Sequence, residues 1–156
     1  MSFDSRAFRD AMGQFATGVT IVATWDGDAV QAMTANAFTS VSLDPPLVLV
    51  CIARTARTHS AIERSGRFSV SVLPAGAEGI SNYYAGRRDG GEAGEFDLER
   101  AKSPVLKGAL SWVDCRVWQV YDGGDHSIFV GEVEALEVRG GDPLLFFAGK
   151  YRRLES

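Results

Sequence analysis

Two long runs near the C-terminal end, "LSWVDCRVWQVYD" and "HSIFVGEVEALEVR", are separated only by "GGD". Both are rich in β-branched and aromatic residues, and a Gly-rich turn joins them, so they are predicted as a long antiparallel strand pair. In the first run Val113, Cys115 and Val117 form one face, while Trp112, Trp118 and Val120 form the other. Apolar groups on both faces call for burial on both sides. A barrel strand whose outer face is covered by a helix or by a second subunit meets that demand.

The rest of the chain agrees with a mainly β fold. "GVTIVATW", the turn "DGD" and "AVQAMT" read as a hairpin. "PPLVLVCIA" is a nearly continuous apolar strand, with proline at its start where no ladder N–H is needed. In "RFSVSVL", Phe68, Val70 and Val72 alternate with Ser69 and Ser71. The final "DPLLFFAGKYRRLES" reads as one short strand and a basic tail. Helices are few. Phe3, Ala7, Phe8, Ala11, Met12 and Phe15 recur at helical spacing behind Asp4 as N-cap, with Gly18 beyond the end, and their stripe is expected to pack into the core. "THSAIERSG" is a short helix with Thr58 as N-cap and Gly66 after its end, and "AGAEGISNYYAG" is a weaker one. The stretch "RRDGGEAGEFDLERAKSP" is polar and Gly-rich and is expected to form a long mobile loop of the kind that serves as a lid. About seven strands with antiparallel-style turns give a β-barrel or sandwich with peripheral helices, the barrel being preferred.

Composition narrows the function. The 156 residues, taken as one domain spanning 1–156, carry a net charge of −4, which disfavours nucleic acid as a partner. Cys51 and Cys115 are far apart and sit in apolar runs, so they read as buried reduced thiols, and no metal site is expected. The N-terminus lacks an apolar signal core, and no run reaches membrane-spanning length. A cytoplasmic location follows as an expectation, with no membrane partner.

One stretch carries the chemistry. In "MTANAFTSVSLDPPLVLVCIARTARTHSA", Thr34, Asn36, Thr39, Ser40 and Ser42 bring short polar side chains and accessible amides together. Such groups suit the acceptor-lined edge of a flat heteroaromatic ring, and equally a solvated strand end. One strand later, Arg54, Arg57 and Thr58 lie between a strand end and a helix start, where phosphates collect. A ring-holding strand followed by a phosphate-holding strand end fits a flavin mononucleotide. No Walker loop, H-E-x-x-H or G-x-G-x-x-G accompanies them.

"FRDAMGQFATGVTIVAT", the stretch just quoted, "GDHSIFVGEVEAL" and "PLLFFAGKYRRL" occur in this order. Together they resemble the small flavin reductase components of two-component flavin-dependent monooxygenases. The resemblance implies a split β-barrel of the FMN-binding type, a homodimer, and NADH- or NADPH-dependent reduction of FMN or FAD for a separate monooxygenase. It further implies that Thr34, Ala35, Asn36, Thr39, Ser40, Val41 and Ser42 face the flavin ring. Cys51, Ile52, Ala53, Arg54, Arg57 and Thr58 would hold the ribityl phosphate. Asp125 and His126 would lie on the nicotinamide side, with Tyr151 and Arg152 completing the nucleotide site. Where the family often carries Ser after the Asn, this chain has Ala37. Hydride transfer would proceed by positioning alone, with no acid–base residue and with His126 orienting the nicotinamide. The competing reading is a non-catalytic flavin carrier or sensor of the same barrel type.

Overall fold

The computed structural model describes residues 2–155. Helix α1 (Ser5–Gly13) is followed by β1 (Thr17–Gly18), β2 (Thr20–Asp26), β3 (Ala29–Ala35), β4 (Phe38–Leu43) and β5 (Pro46–Ala53). Next come α2 (Arg57–Ser65), β6 (Arg67–Val72), α3 (Glu78–Tyr84), β7 (Phe96–Asp97) and β8 (Val105–Leu106). The long pair β9 (Ser111–Gly123) and β10 (His126–Val138) precedes β11 (Leu145–Phe147) and β12 (Lys150–Arg152).

Seven antiparallel strands form the main sheet in the order β3-β2-β6-β9-β10-β5-β4. Its two edge strands, β3 and β4, are consecutive in the chain, so the sheet must curl to bring them near one another. The curl is visible in the core. Val22, Ala35, Val50, Phe68, Cys115 and Phe129, from six different strands, pack into one cluster with Ile62 of α2. The split of the barrel lies in the long hairpin. β9 pairs with β6 only over Ser111–Arg116, whereas β10 pairs with β5 only over His126–Glu132. Each long strand is therefore flanked on both sides for half its length and on one side for the rest. Gly131 sits at a bulge in this hairpin, where an added Cβ would lie 2.6 Å from both Cys115 Cβ and Phe68 Cζ. Only glycine lets the three elements come that close.

A second cluster lies on the other side of β2. Val22 faces the barrel, and its neighbour Ile21 joins Val19, Leu73, Leu106 and Leu144 beneath a small sheet, β1-β11-β12. The expected single C-terminal strand is thus a hairpin. Ala148 and Gly149, with φ of 51° and 77°, supply the turn.

Several expectations need correction. The α1 stripe is not core: α1 buries no residue, and Phe3, Phe8, Met12 and Phe15 are all exposed. Asp4 does cap the helix, accepting from Ala7 N at 2.7 Å, but the helix ends at Gly13, and Gly18 belongs to β1. Nor does a helix cover the outer face of β9, where Trp118 and Val120 are exposed. The Arg87–Pro104 stretch is tied down in its second half. β7 pairs with β8, Trp25 Nε1 donates to Lys102 O at 2.8 Å, and Ser103 is fully buried. This segment covers the serine side of β6, so Ser69 and Ser71 are buried too: Ser69 Oγ donates to Pro104 O, and Leu106 N donates to Ser71 Oγ. Period-2 alternation in β6 thus marks two buried faces, one apolar and one satisfied by a neighbouring loop.

Candidate functional site

The ladder β4-β5-β10 brings three of the proposed segments side by side. Phe38 pairs with Val50, Thr39 with Leu49 and Ser40 with Val48. On the other flank of β5, Cys51 pairs with Ile128, Ile52 with Ser127 and Ala53 with His126. The turn Gly124–Asp125, with Gly124 at φ 76°, places Asp125 beside the end of β5, where Asp125 O accepts from Arg54 N at 3.0 Å.

β4 is an edge strand, so the amides on its outer side have no ladder partner. Thr39 and Ser40 are exposed on it, Ser42 is half-buried, and Val41 occupies a bulge between Ser40 and Ser42. Thr34 behaves differently. Its hydroxyl donates to Ser81 O of α3 at 2.6 Å and is committed there. Ala35 is buried, while Asn36 and Ala37 are exposed at the bend from β3 into β4.

The two arginines diverge. Arg54 donates through Nε to Gly124 O at 2.9 Å and forms an ion pair with Asp122. Arg57 reaches the opposite way to Asp26, which also binds Arg64 at 3.0 Å. The hydrogen bond from Arg64 is the main cause that holds the Asp26 carboxyl below its ordinary range. Thr58 is not the N-cap. Ala56 holds that place, and the Thr58 hydroxyl is buried and accepts from Gln31 Nε2 at 3.1 Å. What remains for an anion here is the start of α2, where, among the described residues, the Arg57 and Thr58 amides have no acceptor.

His126 is half-exposed, and its Nδ1 lies 2.7 Å from Asp125 Oδ1. That bond lowers the Asp125 carboxyl and leaves His126 Nε2 directed elsewhere. Tyr151 is not near this pair. It lines a cleft of about 180 Å3 with Val19, Thr34, Asn36, Asn82 and Arg87. Its hydroxyl donates to Asn82 Oδ1 at 2.9 Å and shares a hydrogen bond of 2.7 Å with Ser81 Oγ. Arg152 points away and stacks over Phe147 at 5.8 Å. The expected nicotinamide set of Asp125, His126, Tyr151 and Arg152 is therefore divided between two places. Sequence reasoning missed Ser81, Asn82 and Arg87, because a short polar helix gives no sign of the cleft its face closes.

Both cysteines are free. Burial pushes the Cys115 thiol up to about 12 and raises that of Cys51. Cys115, buried and so shifted, is not a nucleophile at neutral pH, whereas Cys51 is only half-buried. An unpaired sheet edge at β4 and an open helix start just beyond β5 suit a flat ring with an anionic tail.

Comparison with known proteins shows the family. Residues 12–155 match the model of the flavin reductase like domain. An NADH-dependent flavin reductase from a Rhodococcus species is 45% identical over 150 residues, covering 94% of this chain and 85% of its own length. The reductase component of 4-hydroxyphenylacetate 3-monooxygenase from Thermus thermophilus is 44% identical over 149 residues, with 95% of each chain covered. Among solved structures, the flavin reductase PheA2 superposes with a TM-score of 0.94 at 43% identity, covering 99% of this chain and 100% of its own. The NADH:FAD oxidoreductase SgcE6 of Streptomyces globisporus, solved with NAD and FAD fragments, gives 0.88 at 37% identity, covering 99% and 97%. This chain, a split barrel with that cleft and strand edge, belongs to the flavin reductase-like domain family.

Proposed function

We propose that this chain, acting as one domain, is an NADH-dependent flavin reductase that reduces FMN or FAD and releases the product to a separate monooxygenase. The observation that carries the reading is the juxtaposition of the β4 edge, the α2 start and the Asp125–His126 turn across β5. Bound flavin supplies the hydride acceptor. The protein binds and orients. Edge amides around Ser40–Ser42 hold the ring, and the first-turn amides of α2 with Arg54 receive the phosphate. Asp125 fixes the His126 imidazole through Nδ1, so that Nε2 can orient the nicotinamide. Tyr151 and Arg87 at the cleft serve the remaining nucleotide portion.

The active form is a homodimer. The half-paired ends of the long hairpin carry exposed Trp118, Val120, Leu136 and Val138, and the α1 stripe is exposed as well. Such groups at unpaired strand edges suit a second copy of the chain. Two unpaired thiols fit a cytoplasmic enzyme.

The test is NADH oxidation under air with added FMN or FAD, alongside the rate of Cys51 modification by a disulfide reagent. Cys51 and Ala53 lie on the opposite side of β5 from the buried Ile52. Flavin seated across β5 should support NADH turnover and slow the modification of Cys51. Protection without turnover would favour a carrier, and neither effect would refute flavin binding at this strand.

A further inference from the structure

His59 lies in the first turn of α2, is 6% exposed, and has partners for both ring nitrogens. Nε2 is 2.8 Å from Ser127 Oγ, and Nδ1 is 3.2 Å from Glu63 Oε1, one turn further along the helix. The ring meets Phe129 edge-on, with centroids 5.0 Å apart. A carboxylate only accepts, so the neutral ring keeps its proton on Nδ1 toward Glu63, and Nε2 accepts from the Ser127 hydroxyl. Ser127 is 2% exposed and directly follows His126. The constellation has the composition of a hydrolytic triad, but its serine is buried in the ladder between Ile52 and Asp122, with no room for a substrate.

Its placement gives it another role. His59 directly follows Arg57 and Thr58, whose amides face the anion place, and Ser127 directly follows His126 at the start of β10. Other side-chain hydrogen bonds of α2 to strands run to β2, β3 and the start of β6, through Asp26, Thr24, Gln31 and Arg67. Among the described residues, His59–Ser127 is the side-chain hydrogen bond that ties α2 to β10. We propose that His59 is a positioning residue for flavin reduction: through Ser127 it holds His126 in register with the phosphate end of the site. This rests on the proposed reductase function. Hydride transfer requires close approach of the two rings, and a misplacement near 1 Å can cost about a hundredfold in rate. A loosened α2–β10 link should therefore damage the chemical step more than the binding of either nucleotide.

The experiment compares His59→Ala, Ser127→Ala and the double variant with the parent chain, using NADH and FMN in steady-state and single-turnover assays. The maximal rate of flavin reduction should fall roughly tenfold in each single variant, with KM for either nucleotide within about threefold of the parent. The double variant should be no slower than the slower single one, as expected for two members of one link. NADH deuterated at the transferred C4 position should show a larger primary isotope effect in the variants. His59→Gln, whose amide can reach Ser127 from the Nε2 position, should regain most of the rate. Should His59→Ala fail to fold, Ser127→Ala, which removes a single hydroxyl, carries the test. A parent-like maximal rate in the folded single variants overturns the proposal, as does a loss confined to flavin KM that His59→Gln does not recover. A parent chain inactive with NADH and flavin would refute the reductase reading itself.

Discussion

At the residue scale, Arg54 shows how one side chain can serve two parts of a site. From sequence it belongs to the phosphate end, and its backbone and guanidinium are both bonded to the Gly124–Asp125 turn. Arg54→Ala would leave that turn without its brace, so the KM for flavin and the KM for NADH should both rise, several-fold each, in steady-state assays. His126→Ala should raise only the NADH value. Gly131 illustrates the opposite case, a residue without chemistry whose size is fixed by its surroundings. Gly131→Ala drives a methyl into Cys115 and Phe68 and should cost about 1–3 kcal/mol in urea unfolding. The hydroxyl run was legible as a pattern, but not the partner of each hydroxyl. Thr34 and Thr58 are both committed internally, because α3 and β3 arrive from elsewhere in the chain to meet them.

At the element scale, turn chemistry was readable at most of the turns that glycine marked. The β2–β3 and β9–β10 connections and the Gly66 end of α2, at φ 72°, all follow the expected pattern. The β11–β12 hairpin escaped notice because Ala148, a residue that rarely adopts φ of 51°, occupies its first turn position. Ala148→Asn relieves that conformation without adding unfolded-chain freedom. It should raise stability by up to about 1 kcal/mol, read as a shift of the urea midpoint at constant slope. The Arg87–Pro104 stretch looked like free loop because polar, Gly-rich composition reports solubility of the segment alone. Its anchors, Trp25 and Ser69, lie far away in sequence.

For the whole molecule, the exposed apolar groups on α1 and on the half-paired ends of β9 and β10 are the surface on which the proposed homodimer rests. The parent chain should sediment at twice its 16.8 kDa mass, and Trp118→Glu should shift it toward the single-chain mass at micromolar concentration. The fold class, the β2–β3 and β9–β10 pairs and the family motifs could be read from the sequence, since alternation, β-branching and turn residues act on backbone within a few residues of themselves. Helical spacing in α1 likewise declared an apolar face. What covers that face, which way Arg54 and Arg57 point, and how Tyr151 comes to lie with Thr34 instead of His126 depend on contacts between segments tens of residues apart. Those contacts are selected by the closure of the whole barrel, and no local preference encodes them.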